Sequence, residues 1–296
     1  MSVSQLCVIN CFADYHWPSV RDFLARRVIG SLEHVGDVTY SRQVAEGTLV
    51  AEYVPEENKF LVKLLAETEM TEPDGLLYYR TNMIRVLGCL TPWNEVRDAL
   101  VLAGVPRQRI HHGLSIVGVW SPFEALLRAI CGQQVSVMAA VTQVNRVVAL
   151  ALQTQAALRL EAKPTTVAVD DEPNSIYRGM PALDIFVRTD FSSLKMPERR
   201  KQTLIDSIMW WQQNMPETDS ALDSLLTVKG IGPWTVNYVR LRGFAETDVM
   251  LDNDPIVRQQ LDKHALNTSA AKPWRSYLCL LLWEWSTLEK QQQKEG

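Results

Sequence analysis

The stretch 225–261, LLTVKGIGPWTVNYVRLRGFAETDVMLDNDPIVRQQL, holds the residues of this chain best suited to chemistry. Near its end Asp254 precedes Pro255 and the apolar-periodic Ile256, Val257 and Leu261. Aspartate at a helix N-cap with proline at the first helical position is what capping alone selects. The same place also suits a reactive carboxylate, because backbone N–H groups and the helix dipole favour its charge even when it is partly buried. Asp248 and Asp252 are close in sequence and compete for such a role, and local physics does not separate the three.

Upstream, the run Val228-Lys229-Gly230-Ile231-Gly232-Pro233 lies between two expected helices. Two glycines around one apolar residue permit a tight turn, and Pro233 pre-sets the first turn of the next helix. A turn of this kind aims N–H groups outward at a helix N-terminus, where a phosphate binds without a cationic side chain. A plain corner between helices would use the same residues, with Ile231 plugged into the core in either case. Trp234 and Tyr238, four residues apart, share one helix face. Trp283 and Trp285, two residues apart on a helix, point about 200° from one another, so both cannot face one core.

Other classes of chemistry find little support. Five cysteines, Cys7, Cys11, Cys89, Cys131 and Cys279, are scattered without a CxxC pair or metal-ligand spacing. His111 and His112 are adjacent and would point in different directions. The net charge of −4 excludes a broad basic field, so any nucleic acid must be held locally by a few cations and backbone N–H groups. Apolar runs such as 278–283 fall far short of the ~20 residues that span a bilayer, and the N-terminus has no basic segment followed by an apolar one. A cytoplasmic protein is expected.

The elements that must position these residues fall into two parts. Residues 1–90 read as an α+β domain: 48–54 and 59–65 form β-favouring runs around Pro55-Glu56-Glu57-Asn58, a hairpin signal. A helix is expected over 18–29, PSVRDFLARRVI, ending at Gly30 and laid on a small antiparallel sheet. Residues 91–296 read as nearly all helical, the change beginning near Tyr79. Ser121 and Pro122 open a long apolar-periodic helix over 123–152, with further helices over Glu198–Asn214, 219–226, 233–243, Pro255–His264 and 273–288. The proline-bearing, polar stretch 162–179 reads as an exposed loop.

Taken together, the glycine turn, the aromatic pair and the following aspartate resemble the signature of the helix-hairpin-helix DNA glycosylase superfamily. Two further segments extend the likeness to most of the chain. Residues 129–136, AICGQQVS, resemble the segment these enzymes push into a duplex. Residues 272–277, KPWRSY, with Trp283, resemble the C-terminal helix of the bacterial 3-methyladenine-type members. The resemblance implies a mainly α fold, with two helical subdomains flanking an active-site cleft and an N-terminal α+β domain containing a small antiparallel sheet. It places the catalytic carboxylate on Asp254, the base-binding aromatics on Trp234, Tyr238 and Trp283, and DNA contacts on Gln133, Gln134, Gly230, Gly232 and Thr235, with Gln134 at the wedge position.

It also implies a reaction class. Members that cleave the backbone carry a lysine just after the turn, where this chain has Trp234, and the iron–sulfur members carry four cysteines after the catalytic region, where only Cys279 follows. Both differences point to the alkylation-repair branch: a monofunctional hydrolase, free of cofactor and of iron–sulfur cluster, with room for a monovalent cation at the turn. The implied partner is double-stranded DNA containing alkylated bases such as 3-methyladenine and 7-methylguanine, engaged by a monomer on a bacterial chromosome. The alternatives are a non-catalytic helix-hairpin-helix DNA-binding module, in which Asp254 only caps, and a glycosylase for oxidised or mismatched bases.

Overall fold

Strict alternation of side chains builds the N-terminal sheet. The computed structural model describes residues 2–66, 73–111, 113–161 and 179–295. Strands β1 (Ser2–Asn10), β2 (Glu33–Val35), β3 (Thr39–Val44), β4 (Gly47–Val54) and β5 (Lys59–Ala66) form one antiparallel sheet in the order β1-β5-β4-β3-β2. The expected hairpin is β4–β5, with Val54 opposite Lys59 across a 3-10 turn that Asn58 closes in the left-handed region. Along β5 every second residue, Phe60, Val62, Leu64 and Ala66, is buried, and this face carries the first core. Helices α1 (Trp17–Ala25) and α2 (Pro73–Leu87) cover it through Trp17, Val20, Leu24, Tyr79, Met83 and Val86.

Helix α1 stops at Ala25, short of the expected 18–29. Its apolar periodicity misleads, because Ile29 belongs to a different core, among the helices, and Glu33 and Asn145 take the N–H groups of Ile29 and Gly30. The sheet also has three strands, β1 to β3, that residue patterning did not separate; β1 is interrupted by a register shift between Gln5 and Cys7.

The helical part comprises α3 (Trp93–Leu102), α4 (Pro122–Gly132), α5 (Val137–Glu161), α6 (Leu183–Arg188), α7 (Glu198–Asn214), α8 (Pro233–Val239), α9 (Pro255–His264) and α10 (Arg275–Glu295). Ser121 caps α4 as expected, its hydroxyl accepting from the Glu124 N–H at 3.1 Å. The single helix expected over 123–152 is two, because the chain leaves the helical region at Gln133 and passes through a left-handed Gln134. Residues Asp219–Thr227 form a 3-10 rather than an α segment, and α8 continues as a π-helical turn, Arg240–Phe244. The loop expected at 162–179 lies, up to residue 178, outside the described residues, as does His112.

Two cores fill this half. One joins α4, α5, α6, α7 and the start of α8 through Leu126, Ile130, Val147, Phe186, Leu204 and Val236. The other joins α3, α9 and α10 through Val96, Leu100, Val257, Leu278, Leu281 and Trp285. Because Val239 lies in the first and Leu241 in the second, the α8 rod spans both. Glycine is required at Gly243, where a Cβ would lie 2.7 Å from the Pro122 Cα at the start of α4.

A buried ion network fixes the sheet to α4. Arg42 on β3 bridges Glu33 on β2 (2.8 Å) and Glu124 on α4 (2.7 Å), and Arg128 on α4 reaches the same two carboxylates at 3.2 and 2.7 Å. Burial opposes the Glu124 charge, yet Arg42 and Arg128 outweigh it and hold the carboxyl below its usual value. Removing one partner from such a set costs about 3–5 kcal/mol. Glu124→Gln should therefore lower the urea midpoint strongly near neutral pH. A carboxyl depressed in the fold contributes fully above its unfolded value of about 4.3 and loses its contribution as pH falls through the folded value. Wild type and variant should thus converge in stability on acidification; a gap that fails to narrow below about pH 4 would remove Glu124 from this role.

Candidate active site

The glycine turn is locked by sterics. Gly230 adopts φ +93°, and a Cβ there would meet the Thr203 hydroxyl of α7 at 2.2 Å, so glycine is required on two counts. The Thr203 hydroxyl lies 3.0 Å from the Lys229 carbonyl, and Ile231 is buried against the α4–α8 core, as expected. Gly232 caps α8 with Pro233 behind it, and no atom lies within 4 Å of where its Cβ would be. The turn thus leaves backbone open at a helix start.

Asp254 caps α9 through one oxygen. Its Oδ1 accepts from the N–H groups of Ile256 (2.9 Å) and Val257 (3.0 Å), while Oδ2 accepts from the Trp234 indole N–H at 2.9 Å. The residue is 7% exposed. The structure separates the three aspartates that local sequence left open. Asp248 is engaged by Arg275 at 2.6 and 2.9 Å, and Asp252 is exposed beside Asn253. Trp234 stacks on Tyr238 with centroids 5.2 Å apart and planes at 26°, as their spacing requires. Asn237, between them on α8, donates to the Met250 carbonyl and ties the aspartate-bearing loop to the helix.

On α10, Trp285 is buried, with the Arg109 guanidinium 3.5 Å from its ring, whereas Trp283 is half-buried on the edge of the same core that Trp234 borders. Thr235 is buried, its hydroxyl 3.4 Å from Gln133 Nε2, which also donates to the Gly230 carbonyl at 3.1 Å. Gln134 is exposed. The structure therefore brings Asp254, Trp234 and Tyr238 into one contact chain, and Gln133, Gly230 and Thr235 into another.

Patterning missed a third group. A small pocket, with a cavity volume of only about 20 Å³, is lined by Tyr238, Phe23, Arg27, Arg242 and Val119, among others. The Arg27 and Arg242 guanidinium carbons lie 3.7 and 4.6 Å from the Phe23 ring centroid. Burial, aided by the neighbouring Arg242, lowers Arg27 to about 10, and burial also lowers Arg242, whose Nε is buried without a hydrogen-bond partner. The signal was present in the sequence as arginines inside apolar runs, FLARR and LRGF. The stack thus has a carboxylate at its Trp234 end and cations at its Tyr238 end.

No family model matches the chain. It is 30% identical to DNA-3-methyladenine glycosylase 2 of Escherichia coli, over 93% of this chain and 95% of that protein. It is 24% identical to the DNA-3-methyladenine glycosylase of Bacillus subtilis, over 66% of each. Its fold matches the 3-methyladenine DNA-glycosylase of Archaeoglobus fulgidus, with TM-score 0.63, 15% identity and coverage of 95% and 97% of the two chains. It also matches the Clostridium acetobutylicum 8-oxoguanine glycosylase/lyase bound to double-stranded DNA, with TM-score 0.57, 12% identity and 93% of each chain. Fold and turn define a helix-hairpin-helix DNA glycosylase architecture. Within that class, the chain belongs to the DNA-3-methyladenine glycosylase 2 family.

The steric account of the turn is testable. Gly230→Ala should cost about 1–3 kcal/mol for an alanine held at positive φ, with the Thr203 clash in addition. The double variant Gly230→Ala/Thr203→Ala should recover only the clash, so chemical denaturation should place it between wild type and the single variant. A double variant no more stable than Gly230→Ala would show that Thr203 does not define the turn.

Proposed function

We propose that this protein is a monofunctional glycosylase that flips alkylated bases, 3-methyladenine and 7-methylguanine among them, out of duplex DNA and hydrolyses their N-glycosyl bonds. It acts as a monomer on the chromosome in the bacterial cytoplasm. Family membership supports the activity, and among the described residues no helix is long and apolar enough to cross a membrane. The observation that carries the reading is Asp254: a buried carboxylate held by three N–H donors, one of them from an aromatic stack able to receive a base.

A base within a duplex is out of reach, and extruding it costs about a few kcal/mol of stacking. The open backbone at Gly232, in the turn that Gly230 makes possible, suits a phosphate, fixing register without reading sequence. The exposed Gln134 suits the space vacated in the stack. N-alkylated purines with a positive charge are already good leaving groups, so the site needs no strong general acid. An aromatic face, from among Trp234, Tyr238 and Trp283, favours such a cation by about 0.5–2 kcal/mol, depending on desolvation. With Arg27 and Arg242 beyond Tyr238, a cationic base is stabilised when its charge is turned toward the Asp254 end. As the glycosidic bond breaks, the sugar gains oxocarbenium character, which the Asp254 carboxylate stabilises while water attacks. The α+β domain of residues 1–90 and the helical region 91–296 then act together, with the cleft between the two helical cores.

The test is release of free bases from methylated duplex DNA. Asp254→Asn keeps a good cap, so the fold and DNA binding should survive while excision falls by at least about 10²-fold. Substantial residual excision would remove Asp254 from catalysis. No release by wild type, with DNA still bound, would favour a binding module.

A further inference from the structure

Between α4 and α5 the chain forms an exposed tip. Helix α4 closes at Gln133, whose N–H bonds the Ile130 carbonyl; Gln134 follows at φ +58°, and the Ser136 hydroxyl caps the start of α5 by accepting from the Ala139 N–H at 3.3 Å. Val135, Val137 and Met138 are 39%, 49% and 79% exposed, an apolar concentration at a polar surface. A left-handed glutamine beside exposed apolar side chains gives the tip no core of its own.

One side chain ties it to something rigid. Gln133 Nε2 donates to the Gly230 carbonyl at 3.1 Å and lies 3.4 Å from the hydroxyl of the buried Thr235. The first acceptor belongs to the glycine turn, which Thr203 and Ile231 lock in place, and the second to the first turn of α8 that follows it. Its amide N–H groups are thus engaged by protein, and the side chain is not free to fill a gap in DNA.

We infer that Gln133 is a positioning residue, locking the α4–α5 tip to the glycine turn so that phosphate gripping and insertion into the duplex occur as one pre-set unit. This rests on the glycosylase reading above and revises the role expected for Gln133, leaving gap-filling to Gln134 and its apolar neighbours. A tip ordered before contact loses less freedom on insertion, so the amide favours the flipped state rather than the initial encounter with DNA.

The test uses the whole chain and two duplexes: one carrying a 2′-fluorinated 7-methylguanosine, which resists cleavage, beside 2-aminopurine as a fluorescent reporter of flipping, and one carrying ordinary 7-methylguanosine, from which release is measured. Gln133→Leu keeps the length and removes the donors. It should lower the flipping equilibrium and the single-turnover release of 7-methylguanine by about tenfold, the worth of one such hydrogen bond, with affinity for undamaged duplex unchanged. Its melting temperature should stay within roughly 2 °C of wild type. If Gln133→Leu does not fold, Gln133→Glu, which also cannot donate, serves in its place at this partly exposed position. Flipping and release equal to wild type would overturn the inference, as would a loss of duplex affinity that accounts for the whole loss of release. A wild type that releases no methylated base fails the glycosylase reading itself, whereas wild-type release with unaltered variants fails only the inference.

Discussion

Two buried guanidinium groups and two buried carboxylates, Arg42, Arg128, Glu33 and Glu124, set the relation between sheet and helices on which the rest of the molecule depends. Charges this deep are tolerated only when each is matched, and here each guanidinium meets both carboxylates and further hydrogen bonds hold the set. Tyr40 donates to Glu33, the Ile29 N–H does the same, and Arg128 donates to the Arg27 carbonyl. The last two bonds define the turn after α1, and with it the place of Phe23 and Arg27. Helix α4, so fixed, receives Gly243 of the α8 rod at its N-terminal end and carries Gln133 at the other. Position thus passes from a salt-bridge network to the turn, the aromatic stack and the aspartate.

Segments whose ends are written in local chemistry were legible in the sequence. Helices α7 and α9 and the β4–β5 hairpin rest on caps, prolines and a turn asparagine, each acting within a few residues. What stayed hidden depends on distant partners. The end of α1 is decided by Glu33 and by Asn145 on α5, while apolar periodicity runs on through Ile29 into another core. The break at Gln133 was signalled by Gly132 and Ser136, but unbroken apolar spacing on both sides masked it. For the site, residue types suggested Asp254, Trp234 and Tyr238. The bond from the Trp234 indole to Asp254, across twenty positions, is a property of the fold alone. Arg27 and Arg242, far apart in sequence, meet only when the sheet docks.

The overall acidity of the chain and its nucleic-acid chemistry are reconciled by where charge sits. The glycine turn offers open backbone at Gly232 and a single exposed cation, Lys229, rather than a basic field. The two guanidinium groups at Phe23 lack the carboxylates that neutralise Arg42 and Arg128, so burial depresses their basicity instead of raising it. They form one end of an electrostatic gradient along the Trp234–Tyr238 stack, with Asp254 at the other. On the proposed mechanism such a gradient would orient a bound base by its charge and hydrogen-bond acceptors before any bond is broken.

Asp254 finally shows how one side chain can cap a helix and still keep an oxygen clear of that task. An ionised carboxylate offers about four acceptor directions. Oδ1 accepts two helix N–H groups and Oδ2 accepts the Trp234 indole, which leaves one direction on Oδ2 for a sugar or a water. The oxygen that holds the helix therefore differs from the oxygen on which the proposed reaction would draw. On the proposed mechanism the three donors would keep the carboxylate in place as charge develops, so little reorganisation would be needed at that moment. The indole that fixes Oδ2 would, on the same mechanism, also present its face to the base, which would link recognition of the lesion to the position of the charge that acts on its sugar.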